Sequence, residues 1–226
     1  MIKNKLIVAG CSVSDRTYVN QCYGDILSNL LNTEYIHKAA GCGSNQRIWR
    51  IITSMIMSGE ITSNDKLIIQ YTEINRQEFW TSNIAKRHKV NGGIVDLVEK
   101  YEDFGFTVKY KHSAHEWQDN KQTSKFFEQY QNEFVNTKYN SEVFSVNHYN
   151  FCNTLLANNI NVVFLCCWSY ADHRIVEELS SGLPVVHISR NNDNGIPPEY
   201  LQEDRGHFTE DGHAYVSDML YPIISR

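Results

Sequence analysis

The chain has 226 residues, of which 42% are hydrophobic and 21% charged, and its formal net charge is −5. This length and composition predict one globular domain over residues 1–226 and exclude a disordered or fibrous chain. The acidic balance, without a cluster of Lys and Arg, argues against nucleic-acid binding, and no apolar segment approaches the ~20 residues of a membrane span.

Apolar runs of strand length alternate with helical patterns along most of the chain. Most of the runs are continuous, as expected of strands buried on both faces of a parallel sheet. We predict strands over residues 5–9, 34–39, 66–71, 161–167 and 184–188. We predict helices over residues 23–31, 44–57, 142–157 and 209–224, with Ser44 and Thr209 opening two of them. The fold class is therefore α/β: a three-layer α/β/α sandwich with a mainly parallel five-stranded sheet.

Residues from about 75 to 140 break this alternation, because no buried strand is evident there. The stretch is rich in aromatic residues and in Lys, Asn, Gln and Glu, which is unlike a disordered linker. Structureless loops of this length are rare in compact domains, so we predict a mostly helical insertion into the sandwich. Its aromatic side chains are expected to pack as a lid, or to offer a surface on which an acyl chain or a sugar ring stacks.

The cysteines and histidines predict neither disulfides nor a metal site. Six cysteines occur without a CxxC spacing, and four lie in or beside apolar runs, as reduced buried thiols do. The N-terminal apolar run is too short for a signal peptide, so we expect a cytoplasmic protein. His112 and His115 lack a carboxylate or thiol spaced to complete a metal site. We predict no metal and no other cofactor.

Four polar segments are predicted at one edge of the sheet. Ser12 follows the first strand, residues 41–45 follow the second, residues 72–76 follow the third, and residues 204–207 precede the last helix. Ligands of open α/β sheets bind at the carboxyl ends of the strands, which is the edge where these segments meet. Their convergence predicts a binding or catalytic site.

Ser12, His207 and Asp204 are the residues that predict a reaction. Asp204 precedes His207 by three residues, so its carboxylate can hold one imidazole nitrogen while the other acts as a base. A serine, a base and an orienting acid form a hydrolytic triad in any chain order. Taken alone, Ser12 also suits a turn or a helix cap, and His207 suits a structural place at a helix entry.

Gly41 and Gly43 precede the start of a helix, where backbone N–H groups can face a ligand. The segment lacks the Lys of a P-loop and the full dinucleotide-binding fingerprint, which disfavours a phosphate site. An oxyanion hole uses the same physics, because its donors are also arranged around negative charge.

These segments together resemble those of the SGNH (GDSL-type) hydrolases, over the whole sandwich but not the insertion. The sequence Gly10-Cys11-Ser12 is similar to the first family block, Gly-Asp-Ser, and Asp204-x-x-His207 matches the fifth. The resemblance implies a flavodoxin-like sandwich in which Ser12 is the nucleophile and His207 and Asp204 complete the triad.

The second block of the family is similar to residues 41–46, which include Asn45. The resemblance implies that the N–H of Ser12 is one oxyanion donor and that Gly41, or alternatively Gly43, supplies another. Asn45 is a further candidate for substrate binding in this block.

The third block departs from the family pattern. The family has Gly-x-Asn-Asp, whereas this chain has Gln70-Tyr71-Thr72-Glu73, so that Thr72 stands where the family has its oxyanion-binding Asn. The Thr72 hydroxyl can donate one hydrogen bond, and Asn75 or Arg76 is close enough in sequence to replace the missing donor. A lost donor costs on the order of 10²–10³ in rate.

The sequence thus predicts a serine hydrolase that cleaves carboxylic esters through an acyl-enzyme. The polar, aromatic insertion favours an acylated carbohydrate over other small-molecule esters. Two alternatives remain open: a catalytically weak carbohydrate-binding or structural module with the same fold, and an acyltransferase that uses the same triad. The sequence leaves the oligomeric state, the acyl-chain length and the natural alcohol open.

Overall fold

The computed structural model describes residues 3–16, 19–41, 43–74, 77–80, 88–90, 93–95, 105–108, 137–167, 170–188, 196–203 and 207–226. The strands in these ranges are β1 (Lys5–Ala9), β2 (Glu34–His37), β3 (Lys66–Tyr71), β4 (Gln77–Trp80), β5 (His88–Val90), β6 (Gly93–Val95), β7 (Gly105–Val108), β8 (Asn161–Cys166) and β9 (Val185–His187). The α-helices are α1 (Tyr23–Leu31), α2 (Asn45–Met57), α3 (Thr137–Ala157), α4 (Tyr170–Leu179) and α5 (Glu210–Ile224).

Five strands form one parallel sheet in the order β2-β1-β3-β8-β9, which confirms the predicted α/β sandwich. The chain leaves β1 toward β2 on one side and returns to β3 on the other. The strand order therefore reverses between β1 and β3, and open α/β sheets bind ligands outside the carboxyl ends of their strands at such a point. The segments that follow β1 and β3 are thus neighbours at that edge.

The sheet separates two apolar cores, because successive side chains of a strand point to opposite faces. Ile7 and Phe164 face the core that contains α2, α3 and α4, whereas Leu6 and Ile68 face the core that contains α1 and α5. All four side chains are fully buried, as the continuous apolar runs of the sequence predict. Helix α1 packs against α5 on its side of the sheet.

The helix starts agree with the capping signals in the sequence. Ser44 accepts a hydrogen bond from the Arg47 N–H at 3.1 Å and opens α2. Thr209 accepts one from the Gly212 N–H at 3.1 Å and opens α5. Both contacts satisfy backbone donors that the first turn of a helix leaves without an internal partner.

Within the insertion that we predict to be mostly helical, at about residues 75–140, the part of residues 77–108 that the structure describes forms short strands instead. Strands β4 and β7 form one antiparallel pair and β5 and β6 another. Each strand has only three or four residues, too few to produce the long apolar run on which the prediction relied. The rest of the predicted insertion up to residue 136 lies outside the described residues, and α3 begins at residue 137.

Helix α4 was not predicted, because its apolar face is narrow. Val176 is buried, while much of the helix is charged, with an exposed Arg174–Glu178 ion pair at 2.8 Å one turn apart. A parallel connection between β8 and β9 requires a crossover, which α4 provides.

The described cysteines are buried free thiols: Cys11, Cys22, Cys152, Cys166 and Cys167. The adjacent Cys166 and Cys167 lie in opposite cores. Among the described helices, none has the length and apolar character needed to cross a membrane.

Candidate active site

Ser12 lies in a tight turn at the carboxyl end of β1. The turn is a 3-10 helix over Ser12–Ser14, closed by a 3.0 Å hydrogen bond from the Ser14 N–H to the Cys11 carbonyl. Cys11 and Ser14 are fully buried, whereas Ser12 is partly exposed. The turn therefore presents the Ser12 side chain at the edge of the sheet while its flanking residues hold it in the core.

His207 is held by a short antiparallel contact with the segment before it. Leu201 and Phe208 form an isolated β-bridge, and the Gln202 N–H donates to the His207 carbonyl at 2.9 Å. The Gln202 side chain also donates to the Phe208 carbonyl at 3.0 Å. This brings His207 Nε2 to 2.9 Å from Ser12 Oγ, although the residues are 195 positions apart in the chain.

Three predicted site residues lie outside the described residues: Asp204, Asn75 and Arg76. The orienting role of Asp204 and the replacement of the family Asn by Asn75 or Arg76 stay predictions. Ser12 and His207 are the two members of the predicted triad that the structure describes.

The N–H groups of Ser12 and Gly41 are two of the predicted oxyanion donors. Among the described residues, neither has a hydrogen-bond partner. The Gly43 N–H instead donates to the Ala40 carbonyl at 3.0 Å, and a Cβ on Gly43 would lie 3.1 Å from the Gly10 carbonyl oxygen. Gly43 therefore allows the loop after β2 to approach the end of β1, and Gly41 is the better-suited donor of the two.

The Asn45 side chain clamps the backbone of Thr72. Its Nδ2 donates to the Thr72 carbonyl and its Oδ1 accepts from the Thr72 N–H, both at 2.9 Å. Among the described residues, the buried Thr72 hydroxyl has no hydrogen-bond partner. Because a buried hydroxyl without a partner is costly, this group directly after β3 is a candidate donor to a ligand.

A small cleft of about 20 Å³, partly open to solvent, lies between α2 and α3 beside Asn45. Among the described residues, its lining combines four amide side chains with four apolar ones: Asn45, Gln46, Asn140, Asn147, Trp49, Ile74, Val143 and Phe144. Amides and an indole beside one another suit a neutral ligand that carries hydroxyl groups on an otherwise apolar ring.

A buried polar network that was not predicted from the sequence lies beneath Ser12. Gln70, Ser14, Tyr23 and His213 are all at most 2% exposed, and they connect β3, the Ser12 turn, α1 and α5. Burial lowers the pKa of His213 to about 4, so its imidazole is neutral at pH 7. The available signal was Gln70 itself, a polar residue inside the apolar run of β3.

In the part of the chain that the structure describes, no group of three or more His, Cys, Asp or Glu side chains is arranged to hold a metal ion.

Comparison with known proteins rests on structure, since no family model and no curated protein matches the chain. TesA superposes with a TM-score of 0.56 at 9% identity, with 97% of each chain covered. A second match is a protein from Desulfitobacterium hafniense DCB-2 that is assigned to the G-D-S-L family of lipolytic proteins. Its TM-score is 0.53 at 10% identity, over 97% of this chain and 99% of that one. The chain has the GDSL-type hydrolase fold.

A third structural match is a protein assigned as an acylhydrolase, from Bacteroides fragilis NCTC 9343. Its TM-score is 0.51 at 11% identity, over 98% of this chain and 86% of that one. The predicted resemblance to the GDSL-type hydrolases is thus confirmed at the level of the fold. The Ser12–His207 contact lies at the carboxyl edge of this GDSL-type sheet.

Proposed function

We propose that the protein is a serine hydrolase that cleaves carboxylic esters. The observation that carries the proposal is the 2.9 Å contact between Ser12 Oγ and His207 Nε2 at the carboxyl edge of the sheet. An imidazole at this distance can take the serine proton as the oxygen attacks a carbonyl. Asp204, three residues before His207, is the acid that would hold the other imidazole nitrogen.

The reaction proceeds in two steps. Ser12 Oγ attacks the acyl carbon while His207 Nε2 accepts the hydroxyl proton, and the same proton then goes to the alcohol oxygen as the ester bond breaks. Water attacks the resulting acyl-enzyme, giving one proton to His207, and the carboxylic acid leaves as this proton returns to Ser12 Oγ. Both steps pass through a tetrahedral oxyanion.

Three donors would stabilise that oxyanion: the N–H groups of Ser12 and Gly41 and the hydroxyl of Thr72. Support comes from the absence of partners for these three groups among the described residues. Asn45 would act on the Thr72 backbone, because its side chain already makes two hydrogen bonds there. A preorganised set of donors is the largest single contribution to many acyl transfers.

We propose an acylated carbohydrate as the substrate class. The described lining of the cleft beside Asn45 supports this, because the Asn147 amide there would bind a hydroxyl and Trp49 would stack on a sugar ring. Asn45 links this cleft to Thr72, because its side chain makes two hydrogen bonds to the Thr72 backbone. Removing Trp49 should therefore raise KM for an acetylated sugar without raising KM for p-nitrophenyl acetate.

The experiment compares hydrolysis of p-nitrophenyl acetate and butyrate by the wild type, Ser12→Ala and His207→Ala. We expect each substitution to lower kcat by at least about 10³-fold. Ser58→Ala, which changes an exposed serine at the end of α2, is the matched control and should keep full activity. Circular dichroism would establish that every variant is folded.

The same assay separates the alternatives. A folded wild type without turnover would refute the hydrolase and favour the binding module, which a glycan array would then test. Addition of glycerol or a simple glucoside tests acyl transfer, because a transferase forms a new ester where a hydrolase releases the free acid. Equal acid release with and without the added alcohol is the result expected for the hydrolase.

A further inference from the structure

Gln70 lies directly beneath the turn that carries Ser12. It is fully buried in β3, and its Oε1 accepts from the Cys11 N–H at 2.9 Å and from Ser14 Oγ at 3.2 Å. Its Nε2 donates to the Tyr71 carbonyl. One carbonyl oxygen thus holds the residue before Ser12 and the last residue of the Ser12–Ser14 turn.

The space for this contact depends on Gly10. A Cβ at Gly10 would lie 2.8 Å from Gln70 Oε1 and 2.9 Å from Ser14 Oγ, closer than side-chain atoms approach one another. Gly10 therefore lets the Gln70 amide reach the backbone of the turn. The hydrogen bonds from the turn to Gln70 therefore require a glycine at position 10.

A series of contacts extends from Gln70 toward the segment that carries His207. The Ser14 hydroxyl has one proton and donates it to Gln70, so Tyr23 must be the donor in the 2.6 Å contact between Tyr23 OH and Ser14 Oγ. The Tyr23 N–H in turn donates to His213 Nδ1 at 3.3 Å. The rings of His213 and Phe208 make an edge-to-face contact, with their centroids 5.5 Å apart. Phe208 directly follows His207 in the chain.

We propose that Gln70, acting through Ser14 and Tyr23, is a positioning residue that fixes Ser12 Oγ relative to His207 Nε2. The inference rests on the proposed function. A shift of the turn would move two groups at once, the Ser12 hydroxyl and the Ser12 N–H that would bind the oxyanion. A displacement of about 1 Å at a reacting group can cost on the order of 10²-fold in rate.

The test removes the acceptor at nearly constant volume with Gln70→Met, and the outer hydroxyl alone with Tyr23→Phe. The wild type and the variants are compared for kcat and KM on p-nitrophenyl acetate at a temperature where circular dichroism shows each to be folded. We expect Gln70→Met to lower kcat by about 10²-fold with KM changed less than about threefold, and Tyr23→Phe to give a smaller fall of the same kind.

Tyr71→Phe is the matched control, because it removes another buried phenol that contacts Trp49 and His148 in the opposite core. A merely structural role predicts a lower Tm in all three variants with kcat unchanged. If Gln70→Met does not fold, Tyr23→Phe decides the test.

An unchanged kcat in folded Gln70→Met, or an equal loss in Tyr71→Phe, overturns the positioning role and leaves the hydrolase proposal standing. A wild type that neither turns over the ester nor reacts at Ser12 overturns the proposed function, and the positioning role with it.

Discussion

Replacement of the Thr72 hydroxyl by a methyl group should change stability and activity in opposite directions. Thr72→Val keeps the shape of the side chain and leaves both Asn45 hydrogen bonds in place, because they use the backbone of residue 72. The substitution therefore removes one feature only, a buried hydroxyl that has no partner in the part of the chain the structure describes. Two consequences follow from that change.

Burial of an unpartnered hydroxyl costs about 1–3 kcal/mol, so Thr72→Val should raise the free energy of unfolding by about 1 kcal/mol after the cost of fitting the extra methyl group. Loss of one oxyanion donor costs on the order of 10²–10³ in kcat. We expect about 10²-fold, since the N–H groups of Ser12 and Gly41 would still bind the oxyanion.

The assay pairs urea unfolding with initial rates on p-nitrophenyl acetate. Thr33→Val is the control, because Thr33 is a buried threonine at the opposite edge of the sheet, with its hydroxyl 3.5 Å from the Ser28 carbonyl. It should not change kcat and should not gain stability. A stabilised Thr72→Val protein with the kcat of the wild type would refute the donor role of the Thr72 hydroxyl.

Two further predictions concern stability. Burial lowers the pKa of His148 and of His213 from 6.5 to about 4. Between these pH values the unfolded chain binds more protons than the folded protein. As the pH falls from 7.5 to 5, each histidine should therefore lower the free energy of unfolding by about 2 kcal/mol. In urea titrations His148→Gln should make this loss smaller by about 2 kcal/mol, and an unchanged pH dependence would contradict the assignment. A Cβ on Gly212 would lie 2.2 Å from the Tyr200 carbonyl oxygen, so Gly212→Ala should lower the unfolding free energy by about 1–3 kcal/mol, with exposed Asp218→Ala on the same helix as the control. Equal thermal midpoints for these two variants would contradict the close packing of α5 on that segment.

The central sheet could be predicted from the sequence because each of its strands is a continuous apolar run. The run of β8, for example, needs no alternation to be recognised, since both of its faces are buried. Helix α4 and strands β4–β7 have weaker sequence signals for secondary structure. Helix α4 has few apolar positions, and strands β4–β7 are too short to show an apolar period.

The pairing of Ser12 with His207 was predicted from residue types, whereas the network under Ser12 was not. Gln70 is 59 positions from Cys11 and 56 from Ser14, and such long-range contacts leave no local pattern. Tyr23 and His213 look like ordinary core residues of two helices. Their hydrogen bonds become visible only when β1, β3, α1 and α5 are packed together.

The central claim, that Ser12 is an activated nucleophile, is tested most directly by reaction with a fluorophosphonate followed by peptide mass spectrometry. The proposed function predicts one adduct on Ser12, its absence in Ser12→Ala, and strongly slowed labelling in His207→Ala. Labelling at another residue, or none on a folded wild type, would contradict the claim and remove the basis for an acyl-enzyme.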